Sequence, residues 1–143
     1  MSDLYEEDFY SWTLTQADLL RARSGNRIDW DHLAEELRCL GASEERELNS
    51  RFEVLLCHLL KWVFQPDRRS RSWENTIKVQ RSSLARHLAR NPGLKRIEAR
   101  EFAQAYATAR LLASTETDLD VEVFPEEPPF SMNEAKDPNW WPV

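Results

Sequence analysis

Two sets of side chains in this sequence have the types and spacing to do chemistry. The first lies in "DWDHLAEELRCLG", residues 29–41. On a helix, His32 and Glu36 stand at i and i+4 on one side, with Cys39 beside them and Glu35 at i+3 from the histidine. An imidazole and a carboxylate so placed can hold a divalent metal, as in carboxylate-rich helical bundles, and would make the chain a metal-dependent hydrolase. His58, in "RFEVLLCHLLKW", is a further candidate ligand or general base, one turn before Trp62. The plainer readings are an i,i+4 surface pair beside a buried thiol, and a core or rim histidine whose ring is satisfied by a hydrogen bond. The plainer readings are favoured, because bundles that bind metals draw ligands from several facing helices.

The second set is basic. "HLLKWVFQPDRRSRSWENTIKVQR", residues 58–81, places Arg68, Arg69, Arg71 and Arg81 beside Trp62 and Trp73. Arginines interleaved with aromatics can grip phosphates and stack bases, so these four are candidate anion-binding residues for nucleic acid or another polyanion. The whole chain is acidic, at net charge −6. Its charge is segregated: Lys+Arg against Asp+Glu runs 6 to 13 over residues 1–60, 12 to 4 over 61–110 and 1 to 8 over 111–143. A helical wheel spreads the arginines around the helix, where a binding groove would want them on one face. Internal clamping of the 66–72 junction and pairing with the acidic segments is therefore the favoured reading. No Gly-rich phosphate loop, no G-x-S-x-G and no H-E-x-x-H is present. Ser70 or Ser72 reads as a helix N-cap before it reads as a nucleophile.

The elements that must position these residues are helical. The 143 residues are enough for one domain with a real core. There are only three glycines, and the β-branched residues lack the alternation that strands require. Two cysteines, Cys39 and Cys57, give no disulfide framework and read as reduced thiols. No apolar run approaches the ~18 residues of a membrane span, and the acidic start "MSDLYEEDFY" is unlike a signal peptide. These features predict a soluble cytoplasmic protein with no membrane association and no cofactor.

Hydrophobic spacing predicts a first helix over 5–23, ended by Ser24-Gly25-Asn26, and a second opened by Asp29 and capped by Gly41. Ser43 then N-caps a third helix, with Glu44, Glu45 and Glu47 in its favourable first turn. From Phe52 to Phe64 that helix is apolar nearly all round, which marks it as central. It ends at Gln65-Pro66. An antiparallel hairpin about Gly41-Ala42 would leave His58 on the order of 9 Å from His32 along the helices, too far to share a metal. A fourth helix spans 71–90 and a fifth 94–114, separated by Asn91-Pro92-Gly93. Beyond Thr117 the chain holds five of the seven prolines together with Phe124, Phe130, Trp140 and Trp141. Such a tail is too apolar for a free linker. Ser131 with Glu134 forms a capping box for one short turn of helix within it.

In this order "YEEDFYSW", "HLAEELRCLG", "RFEVLLCHLLKW", "RRSRSWENTIKVQR" and "FPEEPPFSMNEAKDPNWWP" cover nearly the whole chain. Together they resemble the bacterial domain of unknown function 29 family. The resemblance implies a small, all-helical bacterial protein and brings with it no activity, cofactor or catalytic residue.

The expected protein is all-α, a bundle of about five helices over 1–118 with an extended Pro- and aromatic-rich C-terminal tail, 119–143, packed on it as one domain. The favoured function is a non-enzymatic interaction module for a protein partner or for itself. Binding of nucleic acid and metal-dependent hydrolysis stand as alternatives.

Overall fold

The computed structural model describes residues 3–143, and every regular element in them is helical. Six α-helices occur: α1 (Leu4–Glu7), α2 (Phe9–Arg21), α3 (Trp30–Phe64), α4 (Arg71–Arg90), α5 (Glu98–Thr117) and α6 (Met132–Lys136). Short 3-10 turns fill several of the connections. Two compact units can be told apart, one reaching Ser43 and the other Glu44–Val143.

In the first unit, the single helix predicted over 5–23 is broken at Asp8. Asp8 leaves the helical region at φ −152°, and its carboxylate accepts from the Ser11 backbone N–H at 3.0 Å and the Ser11 hydroxyl at 2.6 Å. An aspartate that can satisfy an orphan N–H three residues on is a strong N-cap, so a new helix begins there.

A larger departure concerns Gly41. The break expected there is absent, because residues 30–64 form one helix of 35 residues. No glycine in the described chain has positive φ, so Gly41 is not a left-handed cap. Glycine inside a helix costs about 1 kcal/mol relative to alanine. The flanking Leu, Ala, Glu and Arg residues offset that cost. The hairpin that paired helix two with helix three therefore does not form.

The core of the second unit is built around α3. Leu48, Phe52, Leu55, Leu56, Leu59 and Leu60 have no exposed surface. Ile77 and Leu84 of α4 join them, as do Phe102, Ala105 and Ala109 of α5. Ser70 caps α4 by accepting from the Trp73 N–H at 3.2 Å. Pro92 opens a 3-10 turn over Pro92–Arg96, so α5 starts at Glu98, four residues later than its apolar pattern suggests. Past α5, Phe124 is fully buried, Phe130 nearly so, and Ser131 and Glu134 close a reciprocal capping box on α6. Trp140 and Trp141 pack against the same core.

A Cβ added at Gly41 meets nothing within 4 Å. Gly41→Ala is expected to stabilise the protein by about 0.5–1 kcal/mol in urea denaturation, as in any open helical site. Destabilisation by the same substitution would mean that the helix breaks there.

Candidate functional site

The polar centre of the first unit is Asp29. Its carboxylate accepts from Trp12 Nε1 at 3.1 Å and lies 2.7 Å from His32 Nδ1, while its backbone N–H donates to Gln16 Oε1 at 2.8 Å. Asp29 thus ties α2 to the first turn of α3 and caps that turn. The His32 bond holds the Asp29 carboxyl below its usual value, and the Asp29 bond lifts the His32 imidazole above its own. His32 also stacks on Tyr5, with ring centroids 3.9 Å apart and planes 12° from parallel. The Tyr5 hydroxyl donates to Glu36, and that bond is the main reason its proton is held more tightly than usual. His32 and Glu36 are thus engaged by different partners.

Beside this centre, α2 and α3 enclose an apolar groove of about 350 Å³. Phe9, Trp12, Ala17, Leu20, Leu33, Leu37 and Leu40 line it, with Glu36 at its edge. Leu37 and Leu40 are 67% and 62% exposed. Aliphatic side chains that open on a groove together form a patch, whereas scattered exposed leucines would mean nothing.

In the second unit, the His58 ring donates from Nδ1 to the Val54 carbonyl at 2.9 Å, and burial holds its imidazole below the usual value. This is a histidine satisfied within its own helix. At the preceding residue, the Cys57 thiol donates to Glu116 at 2.8 Å, and Lys61 Nζ lies 3.5 Å from the same carboxylate and 4.8 Å from the Trp73 ring centre. Burial first, and the bond to Glu116 second, push the Cys57 thiol up, so it is held as the unreactive acid form.

Two of the four basic candidates work inside the fold. Arg69 Nε donates to the Trp62 carbonyl at 2.9 Å, and its guanidinium sits 4.8 Å from the Trp62 ring centre. Arg81 is 3% exposed; its Nε donates to the Ala135 carbonyl at 2.8 Å, and its guanidinium lies 5.2 Å from the Trp141 ring. Arg68 and Arg71 remain exposed at the surface.

A third cluster escaped the sequence reading. Among the described residues, one group of three metal-capable side chains has its ligand atoms all within 4.8 Å of one another: Glu44, Glu47 and His87. His87 is 5% exposed on α4, and its Nδ1 lies 3.1 Å from a Glu47 oxygen and 3.5 Å from a Glu44 oxygen. A carbonyl can only accept, so Nε2 carries the proton that bonds the Glu44 carbonyl at 2.9 Å. In sequence the two glutamates explained themselves as dipole partners of a helix start, and nothing local pointed to a histidine 40 residues on.

The elements and clusters define a small all-α protein with an apolar groove in one unit and a closed core in the other. Over residues 4–141 the chain matches the family model described as the domain of unknown function DUF29, and it belongs to that family. No curated protein and no solved structure matches it. Among the described residues, no helix is long and apolar enough to cross a membrane.

Two measurements check this chemistry. The raised His32 value means that its contribution to the stability of the first unit is complete below the ordinary imidazole range and is lost as pH rises through the shifted value. The lowered Asp29 value means that its contribution is present above the ordinary carboxylate range and is lost as pH falls through the shifted one. In an NMR titration of the His32 ring, Asp29→Asn, which keeps the cap, is expected to move the midpoint downward. A thiol reagent is expected to modify exposed Cys39 quickly and Cys57 only at the rate of unfolding.

Proposed function

We propose that the chain is a non-enzymatic interaction module of the bacterial cytoplasm, and that the groove between α2 and α3 receives an amphipathic helix with basic flanks from a protein partner. The groove itself carries this reading: an apolar groove between two helices can take the i, i+3, i+4, i+7 face of a third. Charge selects the occupant. Residues 1–43 hold 4 Arg against 9 Asp+Glu, so a basic helix is attracted and a second acidic copy of the same segment is repelled. The nucleic-acid reading is left with less, since the Arg69 and Arg81 guanidiniums are committed to carbonyls and tryptophan rings.

A synthetic amphipathic helix with leucine on one face and lysine on the other is the test ligand, with its glutamate-for-lysine counterpart as control. Calorimetry on the full chain is expected to show saturable binding of the lysine peptide, weakened at least tenfold, about 1.4 kcal/mol, by Leu37→Ser with Leu40→Ser. Equal binding of both peptides, indifference to the two substitutions, or a concentration-dependent dimer that occupies the groove would overturn the proposal.

A further inference from the structure

Apart from the groove, the described residues hold one unusual polar arrangement. His87 is buried, its Nε2–H is fixed by the Glu44 carbonyl, and its other nitrogen is aimed between two carboxylate oxygens. In a neutral imidazole that nitrogen presents a lone pair to two negative oxygens, which is repulsive unless something positive lies between them. We infer that Glu44, Glu47 and His87 form a binding site for a first-row divalent cation of the zinc class. This goes beyond the groove reading and involves none of the groove's residues.

The chemistry of the donors supports the assignment. One imidazole nitrogen and two carboxylate oxygens suit a borderline cation, which binds such atoms at about 2.0–2.2 Å. Nitrogen-to-oxygen separations of 3.1 and 3.5 Å match the spacing of donors around one such ion, and all three ligand atoms lie within 4.8 Å of one another. Glu44 and Glu47 stand at i and i+3 on α3, on one face. His87 reaches them from α4, and its bond to the Glu44 carbonyl is the orienting contact that metal-bound histidines commonly make through their second nitrogen.

Positive neighbours must be weighed against this. Glu47 and His87 line a cleft of about 220 Å³ together with Arg51, Ser83, Arg86 and Arg90. Arg51 Nε lies 3.8 Å from Glu47, while its Nη1 donates to Gln80 at 3.4 Å, and Arg86 donates to the Ser82 and Ser83 hydroxyls at 3.4 Å. Both Arg86 and Arg90 are exposed, so water and salt screen them. At 3.8 Å Arg51 makes no hydrogen bond to Glu47, whereas His87 Nδ1 lies 3.1 Å from the same carboxylate oxygen.

The test uses full-length, tag-free protein stripped with chelator and titrated with Zn2+ by calorimetry and with Co2+ by visible absorption. One equivalent per chain is expected, with affinity reduced at least 100-fold in Glu44→Gln and in Glu47→Gln, beyond the roughly 10–100-fold that loss of a merely supporting contact costs. Both glutamates reach solvent, so circular dichroism should show these variants folded; a His87 substitution in the core is avoided for that reason. Asp29→Asn should leave the uptake unchanged. No stoichiometric uptake, or uptake that survives both Gln variants or is lost in Asp29→Asn, would overturn the inference and leave a proton between His87 and its carboxylates.

Discussion

The second unit depends on covering the apolar surface of α3 from Leu48 to Leu60. A helix with so wide a buried surface cannot be sheltered by α4 and α5 alone, since each neighbour masks only a stripe of it. α5 comes close through Ala105 and Ala109, and Phe102 meets Phe52 edge-on at 5.5 Å. The uncovered side is taken by the C-terminal segment. Phe124 packs edge-on against Phe64 at 5.5 Å, and Trp141 lies 4.8 Å from Trp62. Burying an irregular segment has a consequence for its carbonyls, which lack helix partners and must find donors elsewhere. Arg110 supplies two to the Phe124 carbonyl at 2.8 and 3.0 Å, and the Tyr106 hydroxyl donates to Pro125 at 2.6 Å.

That requirement explains the arginines near the tryptophans. Arg69, Trp62, Trp141 and Arg81 follow one another in a row, with 4.8, 4.8 and 5.2 Å between successive groups and the two indoles tilted by 45°. Each cation over a ring contributes about 0.5–2 kcal/mol, more when desolvated. Exposed ion pairs such as Lys78–Glu74 contribute about 0–1 kcal/mol. The row, with the carbonyl bonds from Arg69 and Arg81, is the stronger restraint on the tail. Regional charge tallies pointed to carboxylate partners, because carbonyl oxygens carry no formal charge and are invisible to such counts.

What could be read in advance was chemistry confined to a few consecutive residues. The bounds of α4, its Ser70 cap and the Ser131–Glu134 box follow from donors and acceptors within one turn. Gly41 was misleading for a quantitative reason: a residue that suits a helix end is also tolerated inside a long cooperative helix at about 1 kcal/mol. Asp8 was passed over although its partner Ser11 is only three residues away. The Glu44–Glu47–His87 cluster lay outside reach, since it joins α3 to α4 across 40 residues. So did the groove, because apolar spacing shows which face is apolar and not whether anything covers it.

The first unit poses the opposite problem to the second. Among its described residues few are buried, Trp12, Gln16 and Leu19, and one of those is polar. So small a core gives little hydrophobic stabilisation, and hydrogen bonds converging on Asp29 carry much of the definition. Leu37 and Leu40 are in effect half of a core. An apolar helix laid in the groove would remove them from water, so binding there would stabilise the first unit. By linkage, an occupant at 100 times its Kd stabilises the bound form by about 2.7 kcal/mol, comparable with burying one large side chain. The leucines left exposed in the first unit are therefore the same groups that would make its complex stable.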